Sequence, residues 1–152
     1  MIALGVDAAT KTGWALVHRA EGRERLIAHG VLNFKKFPNR WQVADTLATW
    51  AKQGNASVVV IELPWLGKDP HAAEVLARIC GRFEQAFEPG GAKVRVIRSS
   101  QWQTKMIGPS RLGRDALKKL AVAWCRSNFG EELPDDAADA AVMAVFALRF
   151  PG

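Results

Sequence analysis

The sequence is poor in the residues that build disulfide, zinc or membrane chemistry. It has two cysteines, Cys80 and Cys125, each in helix-like surroundings rich in Ala, Val and Leu. Free Cys commonly packs in such places as a small apolar side chain, so both read as reduced core thiols rather than a disulfide framework. The three histidines, His18, His29 and His71, are scattered without ligand spacing, which argues against a zinc site. No apolar run approaches the roughly 20 residues that a membrane-spanning helix needs. Repeats, low-complexity tracts and linkers are also missing. Met1-Ile2-Ala3-Leu4-Gly5-Val6-Asp7 runs directly into a strand-like pattern with no basic leader or cleavage site, so a cytoplasmic protein is expected. The 152 residues fit a single domain, 1–152, with room for a sizeable core.

Acidic residues are scarce in one long stretch. Between Lys93 and Arg126 there are nine basic residues against one acid, Asp115, a segment charge of +8; with +6 over the whole chain, the remainder carries −2. A basic region this concentrated is the electrostatic footprint of a polyanionic partner.

Residues 2–7 form an apolar run ending in Asp. A turn over Thr10–Gly13 leads into Trp14-Ala15-Leu16-Val17, and a third extended run covers about 25–34 after the polar break at Glu21–Glu24. Three such runs joined by short turns predict an antiparallel meander. Pro38 opens a helix with apolar positions at Trp41, Val43, Ala44, Leu47, Ala48 and Ala51, ending near Gly54. The β-branched run Ser57–Glu62 has the pattern of a central strand buried on both faces. A helix follows over 71–87, then a short strand Val94–Ile97 and a short helix to Ile107 capped by Ser99 or Ser100. A long helix over 113–127 and a last one from Asp135-Asp136 to about Arg149 complete the order βββ-α-β-α-β-α-α-α. That order predicts an α/β domain with a five-stranded mixed sheet and helices on both faces.

Four acids fall at telling places. Asp7 and Glu62 each end an apolar strand, and sites in open α/β sheets form beyond the carboxyl ends of central strands. An unpaired acid buried there is unfavourable by several kcal/mol (roughly) unless a cation compensates. Asp136 and Asp139 are three residues apart, on one face of the last helix, with Ala140, Met143 and Ala147 continuing that face inward. A first-turn Asp can also be a simple cap, and Asp135 is a candidate for that duty. Four converging carboxylates can hold two divalent ions roughly 3.5–4 Å apart, the arrangement of metal-assisted phosphoryl displacement. All-oxygen ligation favours hard ions, Mg²⁺ first and Mn²⁺ as its substitute.

Leu4-Gly5-Val6-Asp7 with Thr12-Gly13-Trp14-Ala15, then Val60-Ile61-Glu62, then Asp136-Ala137-Ala138-Asp139-Ala140 resemble the RuvC-type Holliday junction resolvases of the RNase H-like superfamily. The resemblance spans essentially the whole chain and implies an RNase H-like fold. It also implies a homodimeric endonuclease of DNA recombination and repair, which nicks two opposed strands of a four-way junction using Mg²⁺ or Mn²⁺. It maps the metal-binding and catalytic carboxylates onto Asp7, Glu62, Asp136 and Asp139. It places an aromatic residue for the junction centre at Trp65, where stacking on an unpaired base is worth roughly 1–3 kcal/mol. Family lysines near the scissile phosphate correspond to Arg114, with Lys118 a turn later, and to Gln103, a departure from the pattern with Lys105 two residues on. Arg114 and Lys105 are thus the expected catalytic cations. Lys11 and Arg111 join Trp65, Lys105, Arg114 and Lys118 as expected DNA contacts. The implied dimer interface lies on helix 71–87, whose Val75, Leu76, Ile79, Arg82, Phe83 and Ala86 spread apolar surface wider than one stripe.

Other readings share parts of this pattern. Sugar kinases and actin-like ATPases also begin with a strand, an Asp and a Thr/Gly turn, but need a second domain and a second Gly-rich phosphate loop. A nuclease acting on another structured nucleic acid (a flap, a replication intermediate or an RNA–DNA hybrid) and a non-catalytic junction-binding module remain as alternatives.

Overall fold

The computed structural model describes residues 1–39, 41–63 and 69–152. Strands β1 (Ile2–Asp7), β2 (Lys11–Ala20) and β3 (Arg23–Asn33) form the expected antiparallel meander. The β2–β3 hairpin turns on Glu21 and Gly22, both with positive φ (52° and 74°), the two-residue geometry that matches strand twist. Strand β4 (Val58–Leu63) lies parallel to β1, and β5 (Lys93–Arg98) parallel to β4, giving the sheet order β3-β2-β1-β4-β5. The helices are α1 (Gln42–Gln53), α2 (Pro70–Phe87), α3 (Ser99–Met106), α4 (Arg114–Phe129) and α5 (Asp135–Arg149). Among the described residues, no helix is long and apolar enough to cross a membrane.

Boundaries shift where side chains compete for backbone groups. Helix α1 starts at Gln42, not at Pro38, because Asn39 turns the chain first: its Oδ1 accepts from the Trp41 N–H at 3.0 Å and its carbonyl from the Gln42 N–H. Neither Ser99 nor Ser100 caps α3. The helix begins at Ser99 itself, and the Gln101 Oε1 reaches back to the Arg98 N–H at 2.8 Å.

The strand period of two sorts the sheet into two cores. Leu4, Val6, Leu16, Val59 and Ile61 face α1 and α2; Ala3, Ala15, Val17, Val58 and Val60 face α3, α4 and α5. Cys80 sits in the first core and Cys125 in the second, and burial pushes their thiols up to about 11 and about 12, so both stay protonated and unreactive. Helix α5 does not present one inward face as expected. From Ala140 to Leu148 every residue is buried, because the sheet lies on one side of it and α3 and α4 on the others.

Two glycines let α5 come this close. A Cβ on Gly5 would overlap the Ala140 carbonyl, and one on Gly13 would overlap the Asp136 backbone and lie 2.8 Å from its Cβ. Gly5→Ala is therefore expected to destabilise the fold by about 3 kcal/mol, at the upper end of overpacking effects, since the obstacle is helix backbone. Urea denaturation measures this, and a shift below roughly 0.5 kcal/mol would mean that α5 can retreat without loss.

Candidate active site

Parallel pairing aligns Val6 with Ile61, so the next residues, Asp7 as the last of β1 and Glu62 as the last but one of β4, lie side by side. Val6 and Ile61 point towards α1 and α2; by alternation Asp7 and Glu62 point towards α5 and α3. Asp7 pairs with Gly13 across β1 and β2, and Gly13 is where the Asp136 backbone presses on the sheet. The two glycines therefore seat the first turn of α5 over the strand end that carries Asp7. Asp139, one turn further, is half-buried like Asp136. The turn between β1 and β2 is held by the fully buried Thr12, whose hydroxyl donates to the Ala9 carbonyl at 2.6 Å.

The acids act strongly on one another. Burial, then the charges of Glu62 and Asp136, push the Asp7 carboxyl up to about 7, against the pull of Lys118 and Arg114. Burial, then Asp7 and Glu62, push Asp139 up to about 8, opposed by Lys118. Glu62 is also raised by burial, while the Trp102 indole and Arg114 lower it. Asp135 Oδ1 accepts from the Asp136 N–H at 3.0 Å within the first turn, but the N-cap of α5 is Pro134 and neither Asp caps the helix; the Asp136 charge acts on Asp7 and Asp139 instead.

The basic residues divide. Arg114 opens α4 close enough to act on Asp7 and Glu62. Lys118, one turn on, lies 3.4 Å from Asp135 Oδ2 and 3.9 Å from Asp136 Oδ1. Arg111 sits in the turn before α4, and Lys11 at the start of β2, both exposed at this edge. Lys105 is not brought to the acids. Its ammonium lies 4.4 Å from the centre of the Phe150 ring, beyond the far end of α5. At 1.5 Å per helical residue that is on the order of 15–20 Å from Asp136 and Asp139. Trp65 lies outside the described residues.

Sequence reasoning missed Trp102. It is fully buried in α3, and its Nε1–H donates to Glu62 Oε2 at 2.6 Å. The available signal was that a buried indole must find an acceptor for its one polar atom. On α2, Ile79, Cys80, Phe83 and Phe87 are buried in the protein's own core, which accounts for much of that helix's apolar breadth. Its outward face carries Glu74, Ala77, Arg78, Gly81 and Gln85.

No protein-family model matches the chain, and no curated protein does. Among solved structures it is similar to Thermus thermophilus RuvC in complex with a Holliday junction substrate, with a TM-score of 0.77 and 18% identity over 98% of this chain and 96% of that one. It is also similar to the fowlpox virus resolvase in complex with Holliday junction DNA, with a TM-score of 0.65 and 18% identity over 98% and 97%. The yeast mitochondrial Holliday junction resolvase Ydc2 follows with a TM-score of 0.51 and 16% identity, over 93% of this chain and 75% of that one. At these identities the likeness is one of fold. The chain has the RNase H-like fold expected from its motifs.

Proposed function

We propose that the chain is a cytoplasmic, homodimeric, metal-dependent endonuclease that resolves four-way DNA junctions by paired nicks. One observation carries the reading. Asp7, Glu62, Asp136 and Asp139, from three separate elements, gather at one sheet edge beside Arg114 and Lys118. The likeness of the whole fold to two resolvases in complex with junction DNA supports branched DNA as the substrate.

The donor set fits a hard divalent cation, Mg²⁺ or Mn²⁺, two per site. Asp7 and Asp139 accept no hydrogen bond among the described residues, and each is held far from its ordinary acidity by burial and its neighbours' charge. A cation offsets that repulsion directly. Among the described residues, no three acids are grouped closely enough to hold an ion as they stand, so the reading requires the aspartate side chains to rotate towards Glu62 on binding. The bound metal would activate water and stabilise the leaving oxygen. The chain's own cations would hold the strand: Arg114 beside the scissile phosphate, with Lys118, Arg111 and Lys11 on flanking phosphates. The outward face of α2 is the proposed dimer contact, and Trp65 the proposed stacking residue at the junction centre.

Cleavage of matched junction, flap, duplex and RNA–DNA hybrid substrates with Mg²⁺, Mn²⁺ or EDTA tests the reading. Metal-dependent nicking confined to the junction is expected; equal cutting of the hybrid, or binding without cutting, would replace it with one of its rivals. Arg114→Ala is expected to lower the nicking rate about 10–100-fold, while junction affinity falls less than about tenfold. An unchanged single-turnover rate would remove Arg114 from the reacting phosphate.

A further inference from the structure

We propose that Trp102 is a positioning residue for Glu62, its indole N–H fixing one carboxylate oxygen, Oε2, so that Oε1 is left free for the cation. The inference rests on the metal-dependent reading above. Its geometric basis lies in how the chain runs from β5 into α3. Glu62 pairs with Ile97 and Leu63 with Arg98, and α3 begins at Ser99 with no linker between. The Gln101 side chain locks that junction by accepting from the Arg98 N–H at 2.8 Å. Trp102, one turn into the helix, is thereby held over the end of β4 by covalent register, not by a mobile loop.

Packing alone does not explain an indole here. Trp102 is fully buried against the apolar layer shared with Ile97 and α5, a place that Phe or Leu could fill. Its one polar atom is aimed at the carboxylate at 2.6 Å, a charge-assisted bond slightly shorter than the usual N–H···O range. The choice of donor matters. Lys or Arg at this position would orient Glu62 but also cancel its charge and repel a divalent ion. An indole is a donor only and uncharged, so it fixes the carboxylate without competing with the cation. A Glu side chain otherwise loses its rotational freedom when it takes up a metal, and Trp102 removes that freedom beforehand.

Trp102→Phe keeps an aromatic ring and deletes the N–H. Mn²⁺ affinity, read by calorimetry, is expected to weaken roughly 10–100-fold, the range for losing an outer partner of a metal ligand. The single-turnover nicking rate should fall by a similar factor, while junction affinity in EDTA stays unchanged. In a Glu62→Gln background the same substitution should have no further effect on Mn²⁺ affinity, because the two residues act as one unit. Wild-type Mn²⁺ affinity in Trp102→Phe, or an undiminished loss in the Glu62→Gln background, overturns the inference alone. A wild-type protein that binds no Mn²⁺ overturns it together with the functional reading. Should Trp102→Phe fail to fold, the indole ¹H–¹⁵N signals of wild type and Glu62→Gln decide. One of the six tryptophans should lose its downfield position in Glu62→Gln, and an unmoved set would sink the proposal.

Discussion

Asp7→Asn is expected to slow junction nicking by well over 100-fold, more than the roughly 10–100-fold typical of losing only an outer partner of a metal ligand. The same substitution should leave junction affinity in EDTA intact or raise it, because a negative charge next to phosphate disappears. It should also make the metal-free protein more stable at neutral pH. Asp7 is half-buried beside Glu62 and Asp136; that desolvation and their charges push its carboxyl up to about 7, so holding it ionised there works against folding. An amide of the same shape carries none of that repulsion. Loss of activity with gain of stability is the signature of a residue retained for function. Three measurements separate the parts: a nicking assay, a gel-shift titration and thermal denaturation in EDTA. Nicking at the wild-type rate would dismantle the site assignment. Lost activity with an unchanged or lowered melting temperature would show instead that Asp7 has a structural partner.

What was legible in the sequence was local. The meander, the two strand-end acids and the spacing of Asp136 and Asp139 follow from period and punctuation, and the structure places them where those cues point. What escaped depends on register between distant segments. Trp102 and Glu62 lie 40 residues apart, and only the parallel pairing of β4 with β5 brings them together. The same helix misdirected the expectation for Lys105. With Trp102 at the strand ends, Lys105 lies one turn further along α3 and is carried away towards Phe150. Lys118 reached the acids because α4 packs on α5, a contact that no local pattern announces. Even the two glycines of the first motifs have a tertiary meaning. Gly5 and Gly13 read as turn and strand residues, yet their service is to admit the backbone of α5.

The acid cluster also predicts an unusual dependence of stability on pH. An unfolded Asp titrates near 3.8, whereas folded Asp7 and Asp139 do so at about 7 and about 8. Between those values the folded chain keeps protons that the unfolded chain has released. Stability must then fall as pH rises, beginning above about pH 4 and levelling near pH 8. The two acids shift in the same direction, Asp139 in part through the charge of Asp7, so the slope is steeper than either would give alone. Glu62, raised in the same direction, adds to the slope. Divalent metal should reverse it, since the ion binds the ionised carboxylates and displaces their protons, so its stabilisation grows with pH. In EDTA the melting temperature is expected to drop steadily from pH 5 to pH 8. In millimolar Mg²⁺ or Mn²⁺ the curve should flatten or rise, with the gap between the two conditions widest near pH 8. Asp7→Asn and Asp139→Asn should each flatten the EDTA curve and shrink that gap. A metal-free curve that is flat from the start would mean that the carboxylates are stabilised by protein contacts alone, and the cluster would then have no need of a cation.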